Sequence, residues 1–546
     1  MSILNWIGKE KIVNHDKEVP FRLLRKNKKY SLGKSENLIV EGDNLEALKA
    51  LMPFYYGKIK CIYIDPPYNT GNEKWVYNDK VNAPKIKEWL GKVVGPEGED
   101  LTRHDKWLCM MYPRLKLLRD LLDDDGVIFI SIDDSEQCNL KIMMDEIFGP
   151  ENFVANIIWQ KKTGASDARN IAIITEYVLA YSKNSVSLED IFSKNKNSFD
   201  INRYKYSDEY VKIRGRYYID NLDRGGLQYS DSLNFPIKCP DGSLVYPNGR
   251  RKYKNDGWIW KWGKKKVEWA IKNKFIEFRK SNKKQSGWSV CYKNYLLVDN
   301  EGNEMERSAP IKNLITDILN ADSAAGIKDV FGNNIFKYSK PVELIKKLIS
   351  YVKIQDDEFV LDSFAGSGTT GQAVLDLNKE DGGNRKFILV EMEKNIAKNI
   401  TAERVKRVAR GYSYKTGKGK VMKVPGLGGG FEYVELGEPL FNKDGMISES
   451  VSFEDMAHYV YFTETRTNLE KKNIQKNYLG EFDDVHYFLL FDGIGKNILN
   501  RKFLKELKPH KGEKKIIYAD KCLLDDEVLE KNQIIFKQIP YQIKVY

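Results

Sequence analysis

Asp65-Pro66-Pro67-Tyr68 follows directly on the apolar run KCIYID (60–65), and these residue types suit the handling of a planar amine. A rigid turn at the carboxyl end of a strand would present a carboxylate, a proline carbonyl and an aromatic ring to one crevice. Asp65 and the Pro66 carbonyl can each accept one N–H of the amine, while Tyr68 stacks on the ring that bears it. Holding both hydrogens draws the nitrogen lone pair out of conjugation and aims it at an electrophile. The alternative is a type I or VIII turn whose aspartate caps a helix.

A second motif, Phe364-Ala365-Gly366-Ser367-Gly368-Thr369, lies between an apolar run and a helical pattern starting near Thr370. Glycines there let the backbone approach a nucleoside-type cofactor, and Glu391, some 20 residues on at the end of the next strand, stands where an acid reaches ribose hydroxyls. The third glycine of a dinucleotide fingerprint is displaced, to Gly371, which argues against a nicotinamide enzyme. The cluster Gly426-Leu427-Gly428-Gly429-Gly430 lacks a G-K-[ST] ending and a preceding strand, so it reads as a flexible turn; no Walker A motif occurs. Six scattered cysteines without a C-x-x-C pair, and five histidines without H-E-x-x-H spacing, argue against a disulfide scaffold and against a metal site.

The elements that must position these motifs are readable as periodicity. Lys60–Asp65, Gly126–Asp133, Glu358–Phe364 and Lys386–Met392 are continuous apolar runs, the pattern of buried parallel strands. Helical spacing predicts helices over Asp43–Leu51, Trp107–Leu122, Ser135–Ile147, Pro341–Val352, Thr370–Leu377 and Asn395–Val408. The alternation predicts an open α/β sheet with helices on both faces, its ligands bound beyond the carboxyl ends of the strands. Asp65, Asp133 and Glu391 all end strands there, and Asp133 reads equally well as a structural acid. From Lys161 to about Asn320 the rhythm breaks into Tyr, Asn, Gly and Lys with turn pairs such as Asp241-Gly242 and Asn248-Gly249. That block reads as an insertion between two halves of one α/β domain. Gly411–Gly430 reads as a linker or hairpin, and the remainder as a small α+β domain.

Composition bounds the class. A chain of 546 residues predicts about three or four domains, and 42% hydrophobic with 12% aromatic residues excludes a disordered chain. Residues 1–30 lack the apolar core of a signal peptide, and no stretch reaches the ~18 apolar residues of a membrane helix. We therefore expect a soluble protein of a reducing compartment. The formal charge of +12 is not spread evenly: Lys161–Pro310 holds 29 Lys and Arg against 18 Asp and Glu, and the other 396 residues hold 60 against 59. Five of the ten tryptophans lie in the same block, and Lys and Arg interleave with aromatics between Arg250 and Lys284. Such a stretch can neutralise phosphates and stack on bases, or can be a solvated basic face over an aromatic core.

With D-P-P-Y followed far downstream by F-x-G-x-G, the sequence resembles the β group of S-adenosylmethionine-dependent amino-methyltransferases of DNA. The runs EGDNLEALKAL (41–51), KIKCIYIDPPYNTG (58–71), His104–Leu122, Gly126–Asp134, Ile157–Lys162 and FKYSKPVELI (336–345) resemble more closely the modification subunit of type III restriction-modification systems. The likeness is strong over residues 35–162 and 331–410, and elsewhere only one of position and length.

The resemblance implies a Rossmann-like methyltransferase sheet split by an inserted target-recognition domain and followed by a small α+β domain. The expected boundaries are 1–160, 161–330, 331–410 and 411–546, with dimer or partner contacts placed around Val451–Leu490. Asp65, Pro66, Pro67 and Tyr68 would hold a flipped adenine, the D of the motif favouring adenine N6 over cytosine N4. Phe364, Gly366, Gly368 and Thr369 would wrap the methionine part of S-adenosylmethionine and Glu391 its ribose, with Lys340 and Pro341 on the cofactor side and Asp43 near the adenosine. Arg250, Arg251, Lys252, Lys264, Lys265 and Lys266 would contact double-stranded DNA, and no metal is expected. The family implies a homodimer in the bacterial cytosol and a separate restriction subunit carrying helicase and nuclease. A solitary adenine-N6 or cytosine-N4 enzyme and a catalytically dead specificity subunit remain the other readings.

Overall fold

Every residue of Ile59–Ile64 (β3) is buried, the mark of a strand covered on both faces. In the computed structural model it lies at the centre of a ten-stranded sheet. The structure describes residues 4–70, 91, 102–164, 170–184, 191–192, 201–226, 229–305, 310–336, 338–415, 419–470, 474, 476–493, 495–507 and 513–539. Gly71 and Lys337 of the motif runs lie outside the described residues. The sheet's strands are β1 (Arg22–Lys26), β2 (Leu38–Glu41), β3, β4 (Leu122–Ile132), β5 (Phe153–Gln160), β6 (Thr175–Ser182), β7 (Leu314–Ile315), β8 (Phe359–Asp362), β9 (Lys386–Glu391) and β10 (Glu432–Pro439). Their spatial order is β1-β10-β2-β9-β8-β3-β4-β6-β5-β7. The six strands from β10 to β4 run parallel, while β1 and β6 pair antiparallel to their neighbours.

This order brings the two motifs together. β8 and β9, from late in the chain, slot between β2 and β3, so Val360 pairs with Cys61 and Leu361 with Ile62. The turn after β8 and the D-P-P-Y turn after β3 therefore leave adjacent strands at the same end. Strand periodicity assigns the faces. Ile62, Ile64, Ile128, Ile130, Ile388 and Val390 share one core with the helices α1 (Asn44–Tyr55), α2 (Arg103–Leu121) and α3 (Gln137–Phe148). The alternate residues Phe387 and Leu389 meet α5 (Thr369–Asp381) and α6 (Ala402–Arg410); a Cβ on Gly371 would stand 3.0 Å from Leu389 Cδ1 and 3.1 Å from Val405 Cγ2. Gly371 thus supplies the close helix–strand approach of a third fingerprint glycine. Between β7 and β8 runs α4 (Val342–Tyr351), which packs on α5.

The chain separates into two compact units, residues 194–311 and the rest. The inserted unit is shorter than the block from Lys161 to about Asn320 that composition suggested and than the 161–330 that the resemblance implied. The reason is that β6 zips between β4 and β5, and β7 pairs with β5, so both belong to the main sheet. Within the insertion, Ile276–Lys280, Trp288–Tyr295 and Tyr217–Asn221 form a three-stranded antiparallel sheet over a core that includes Trp260, Phe275, Trp288 and Tyr295. Gly411–Lys415 and Val421–Pro425 make a hairpin, and β10 carries the 411–546 segment back into the main sheet. Beyond it, helix α7 (Phe453–Thr465) and a four-stranded sheet (Tyr478–Phe482, Val485–Leu489, Lys514–Ala519, Ile534–Gln538) build a further α+β layer. Met456, Ala457 and Val460 of α7 are buried in this chain's own core. Among the described residues no helix is long and apolar enough to cross a membrane.

Candidate active site

β3 ends at Ile64, and the two prolines then fix a turn that sets Asp65 at the strand's carboxyl end. α2 anchors this turn: the Trp107 indole N–H donates to the Pro67 carbonyl at 2.6 Å. Among the described residues the Pro66 carbonyl accepts no hydrogen bond. Asn69 takes a left-handed backbone (φ 59°), which asparagine tolerates, and its amide donates to the buried Glu136 carboxylate. Glu136 also meets His104 Nδ1 at 2.6 Å and accepts from Asn139 at 2.8 Å, so one buried acid holds the exit of the turn.

Asp65 does not stand alone. Lys340 Nζ donates to both of its carboxylate oxygens at 2.8 Å, and the same ammonium lies 4.8 Å from the centre of the Tyr68 ring. Burial raises the Asp65 pKa, and the attraction of Lys340 opposes it. Burial would lower Lys340, but Asp65 and Glu176 outweigh it and hold the lysine charged. Tyr68 is buried, and its hydroxyl donates to Glu176 Oε2 at 3.1 Å. Lys340, placed with the cofactor by the resemblance, is thus joined directly to the D-P-P-Y acid. Pro341 precedes α4 as its N-cap.

The second motif forms a turn in which Gly366 (φ 50°) and Gly368 (φ 79°) are both left-handed. Glu391 pins it, accepting from the Gly366 N–H at 3.0 Å and the Glu393 N–H at 2.8 Å. Burial pushes Glu391 up to about 8 against those two donors. Asp362 accepts from the Phe364 N–H at 2.9 Å and from the Thr370 hydroxyl at 2.6 Å, and burial pushes it up to about 7. Behind the turn the residues 397–401 widen into one turn of π-helix, a feature that gathers at functional sites. It lets Thr401 Oγ1 donate to the Gly366 carbonyl at 2.6 Å. Ser339, Ser367 and Thr369 form a hydroxyl cluster, each receiving a bond from the buried Arg404, at 3.2, 2.7 and 2.8 Å. Burial brings the Arg404 guanidinium down to about 10.

Asp65, Lys340, Phe364, Gly366 and Thr369, five of the residues that spacing and resemblance singled out, line one crevice together with others that they did not, Tyr63, Ser339 and Asp362 among them. A much larger cavity, about 1,020 Å³, opens at the opposite, amino ends of β2, β8 and β9 and holds neither motif. In open α/β sheets ligands sit at the carboxyl ends, so chemistry rather than size locates the site. Asp43 lies outside this crevice's lining: it caps α1 through the Leu45 N–H at 2.9 Å and pairs with Arg114 at 3.4 Å. Asp133 likewise accepts from the Ser135 N–H at 2.9 Å. Glu176, Glu136, Asp362 and Arg404 were not found from sequence. Asp362 offered a signal, as a strand-ending acid like Asp65; Glu176 offered none, since only pairing between distant strands delivers it.

The crevice suits S-adenosylmethionine by its donor set. The glycine turn permits close approach, and Glu391 retains acceptor lone pairs for hydroxyl donors beyond its two backbone bonds. In the inserted unit, Arg251, Lys252, Lys264 and Lys265 are exposed, whereas Lys266 is half-buried and pairs with Glu301 at 2.7 Å. Arg250 is buried: it donates to the Pro247 carbonyl at 2.6 Å and to the Lys254 carbonyl, and pairs with Asp256 at 3.3 Å. Its guanidinium holds loops together.

Residues 59–403 match the family model described as DNA methylase. The chain is 34% identical over 387 residues to the Mod subunit of the type III restriction-modification enzyme StyLTI of Salmonella typhimurium, covering 68% of this chain and 54% of that one. It is 33% identical over 438 residues to the EcoPI Mod subunit of Escherichia phage P1, covering 73% and 65%. With the type II methyltransferase M.KpnI of Klebsiella pneumoniae it shares 31% over 379 residues, covering 68% and 84%. The chain spans between half and two thirds of the length of the two Mod subunits it matches. With its D-P-P-Y and F-x-G-x-G turns on neighbouring strands of one parallel sheet, the chain belongs to the N6/N4 family of DNA methylases.

Proposed function

We propose that this chain transfers a methyl group from S-adenosylmethionine to adenine N6 in duplex DNA, and serves as the modification and specificity subunit of a type III restriction-modification system in the bacterial cytosol. The observation that carries the proposal is the seat at Asp65, where an ammonium already rests between the carboxylate and the face of the Tyr68 ring; the Pro66 carbonyl, next in the chain, is the second acceptor that the reading requires. Asp65 and Pro66 accept the two N–H bonds of the flipped adenine and localise its lone pair. The bound cofactor supplies an electrophilic methyl group. Methyl transfer would exchange the methyl–sulfur bond of the cofactor for the new N–C bond, leaving a neutral thioether; Asp65 with the face of Tyr68 would stabilise the briefly cationic nitrogen, as they stabilise Lys340, until its surplus proton passes to water. Unstacking the base costs a few kcal/mol, which contacts in the pocket offset. The inserted unit reads the site, and the 411–546 segment offers contacts to a second copy or to a restriction subunit.

The test is modification-sensitive long-read sequencing of DNA from a methylation-free host expressing the chain or its Asp65→Asn variant. Asparagine keeps the shape but turns an N–H toward the amine; alanine would strand the Lys340 ammonium, and breaking a buried pair costs about 3–5 kcal/mol. N6-methyladenine on one strand of a short asymmetric site, reduced roughly 100-fold or more in the variant, is the expected result. A methyltransferase that modifies DNA without a bound restriction subunit is the second reading; the chain spans 84% of the type II methyltransferase M.KpnI. A palindromic site methylated on both strands would select it.

A further inference from the structure

Glu176 belongs to no motif, yet it is built into the amine seat. β6 holds it opposite Trp159 of β5. From there Oε2 accepts the Tyr68 hydroxyl at 3.1 Å, and Oε1 accepts from Lys161 Nζ at 3.0 Å. Lys340 Nζ lies 3.7 Å from Oε2. Burial alone would raise its pKa, but Lys340 and Lys161 bring it below the ordinary range, so Glu176 stays a carboxylate.

Lys340 thus stands where a target amine would stand. Its nitrogen sits 2.8 Å from both oxygens of Asp65 and 4.8 Å from the centre of the Tyr68 ring, so an amine bound to Asp65 with its ring stacked on Tyr68 would need the space this ammonium fills. The lysine stem is long and rotatable, and its 3.7 Å separation from Glu176 closes to ordinary hydrogen-bond length with a movement of about 1 Å. We propose that Glu176 is a positioning residue of the methyl-transfer site: it receives the Lys340 ammonium when the target amine takes Asp65, and it steadies the Tyr68 ring through the hydroxyl. The inference rests on the amino-methyl transfer proposed above. No covalent bond changes in the exchange. Two carboxylates, Asp65 and Glu176, remain balanced by two ammoniums, Lys340 and Lys161, throughout.

The experiment compares Glu176→Gln, Glu176→Asp, Lys340→Met and the Glu176→Gln/Lys340→Met double variant. Single-turnover methylation uses a duplex carrying the site that sequencing identifies, and a second duplex carries 2-aminopurine at the target adenine. Glu176→Gln should slow methyl transfer by roughly tenfold or more while cofactor binding and melting temperature stay near wild type. The double variant, with no ammonium to rehouse, should recover at least about threefold over Glu176→Gln, a non-additivity that a purely structural role would not produce. Glu176→Asp, which keeps the charge, should stay within about threefold of wild type. Lys340→Met alone should raise 2-aminopurine fluorescence in the cofactor-free complex by roughly twofold or more, because the seat is then unobstructed. Unchanged fluorescence there overturns the displacement whether or not Glu176→Gln folds. A Glu176→Gln rate equal to wild type, or no recovery in the double variant, overturns the role of Glu176 alone. Wild-type chain that leaves host DNA unmodified overturns the methyl-transfer reading and this role together.

Discussion

Asp362 closes β8 with one oxygen on the Phe364 N–H and the other on the Thr370 hydroxyl, and among the described residues no cation balances it. Burial pushes it up to about 7, against roughly 3.9 in an unfolded chain. Below the lower value both states hold the proton. Between the two values the folded chain keeps a proton that the unfolded chain has released, so stability falls as pH rises through this window. Asp362→Asn removes that titration while offering an acceptor to Phe364 and a donor to Thr370. Urea unfolding from pH 4.5 to 7.5 should show the wild type losing stability relative to the variant, by ~3 kcal/mol over that range. Parallel curves would mean that Asp362 titrates like a surface acid. The same buried carboxyl ties the turn after β8 from inside, through hydrogen bonds to Phe364 and Thr370 that lie out of reach of water.

The glycine turn and the π turn behind it are one element in two pieces of sequence. A Cβ on Gly368 would stand 3.1 Å from the Thr401 carbonyl, in a left-handed backbone. Gly382, at the end of α5, has a similar φ of 78° but nothing within 4 Å of an added Cβ. Gly382→Ala should therefore cost the backbone strain alone, about 1 kcal/mol, and Gly368→Ala about 1–2 kcal/mol more, with weakened S-adenosylmethionine binding. Equal unfolding midpoints for the two would remove Thr401 as the wall of the turn. Elements of this kind mark the limit of what the sequence discloses. β3, β8 and β9 were legible to within one or two residues, because strands buried on both faces must be apolar throughout. β6 was not assigned to the sheet: TEYVLAYS carries no local sign of its partners, and it begins inside the block set apart by charge. The helix expected over Asn395–Val408 exists, but its π turn follows from the needs of the neighbouring loop. Lys340 could be placed beside Pro341 and no further, since its bond to Asp65 spans 275 residues.

At the scale of the whole chain, charge is partitioned as sharply as structure. The unit from Lys194 to Ile311 holds 25 Lys and Arg against 14 Asp and Glu, so nearly all of the +12 excess resides in 118 residues. Its aromatics are largely spent on the core, with Trp260 and Trp288 buried, so stacking on bases falls to fewer rings than composition suggested. The cations divide too. Arg250 is committed to loop carbonyls, whereas Lys264 and Lys265 project from the start of the helix Lys264–Lys272 without an ion pair among the described residues. A cation at a helix N-terminus opposes the helix dipole, so these two lysines are not there for local stability. If they neutralise phosphates, each contact releases condensed counterions and steepens the fall of log K with log salt by about 0.9. Lys264→Gln/Lys265→Gln should weaken DNA binding across all sequences and flatten the salt slope by about 1–2, leaving the methylated site and the melting temperature unchanged. Arg250→Ala should instead destabilise the inserted unit by roughly 2–4 kcal/mol, through the buried partners it abandons, and blur site selection. Filter binding of host DNA from 50 to 300 mM salt, beside thermal unfolding, separates the two: an unchanged slope in the lysine variant would move the phosphate contacts to another face of the unit.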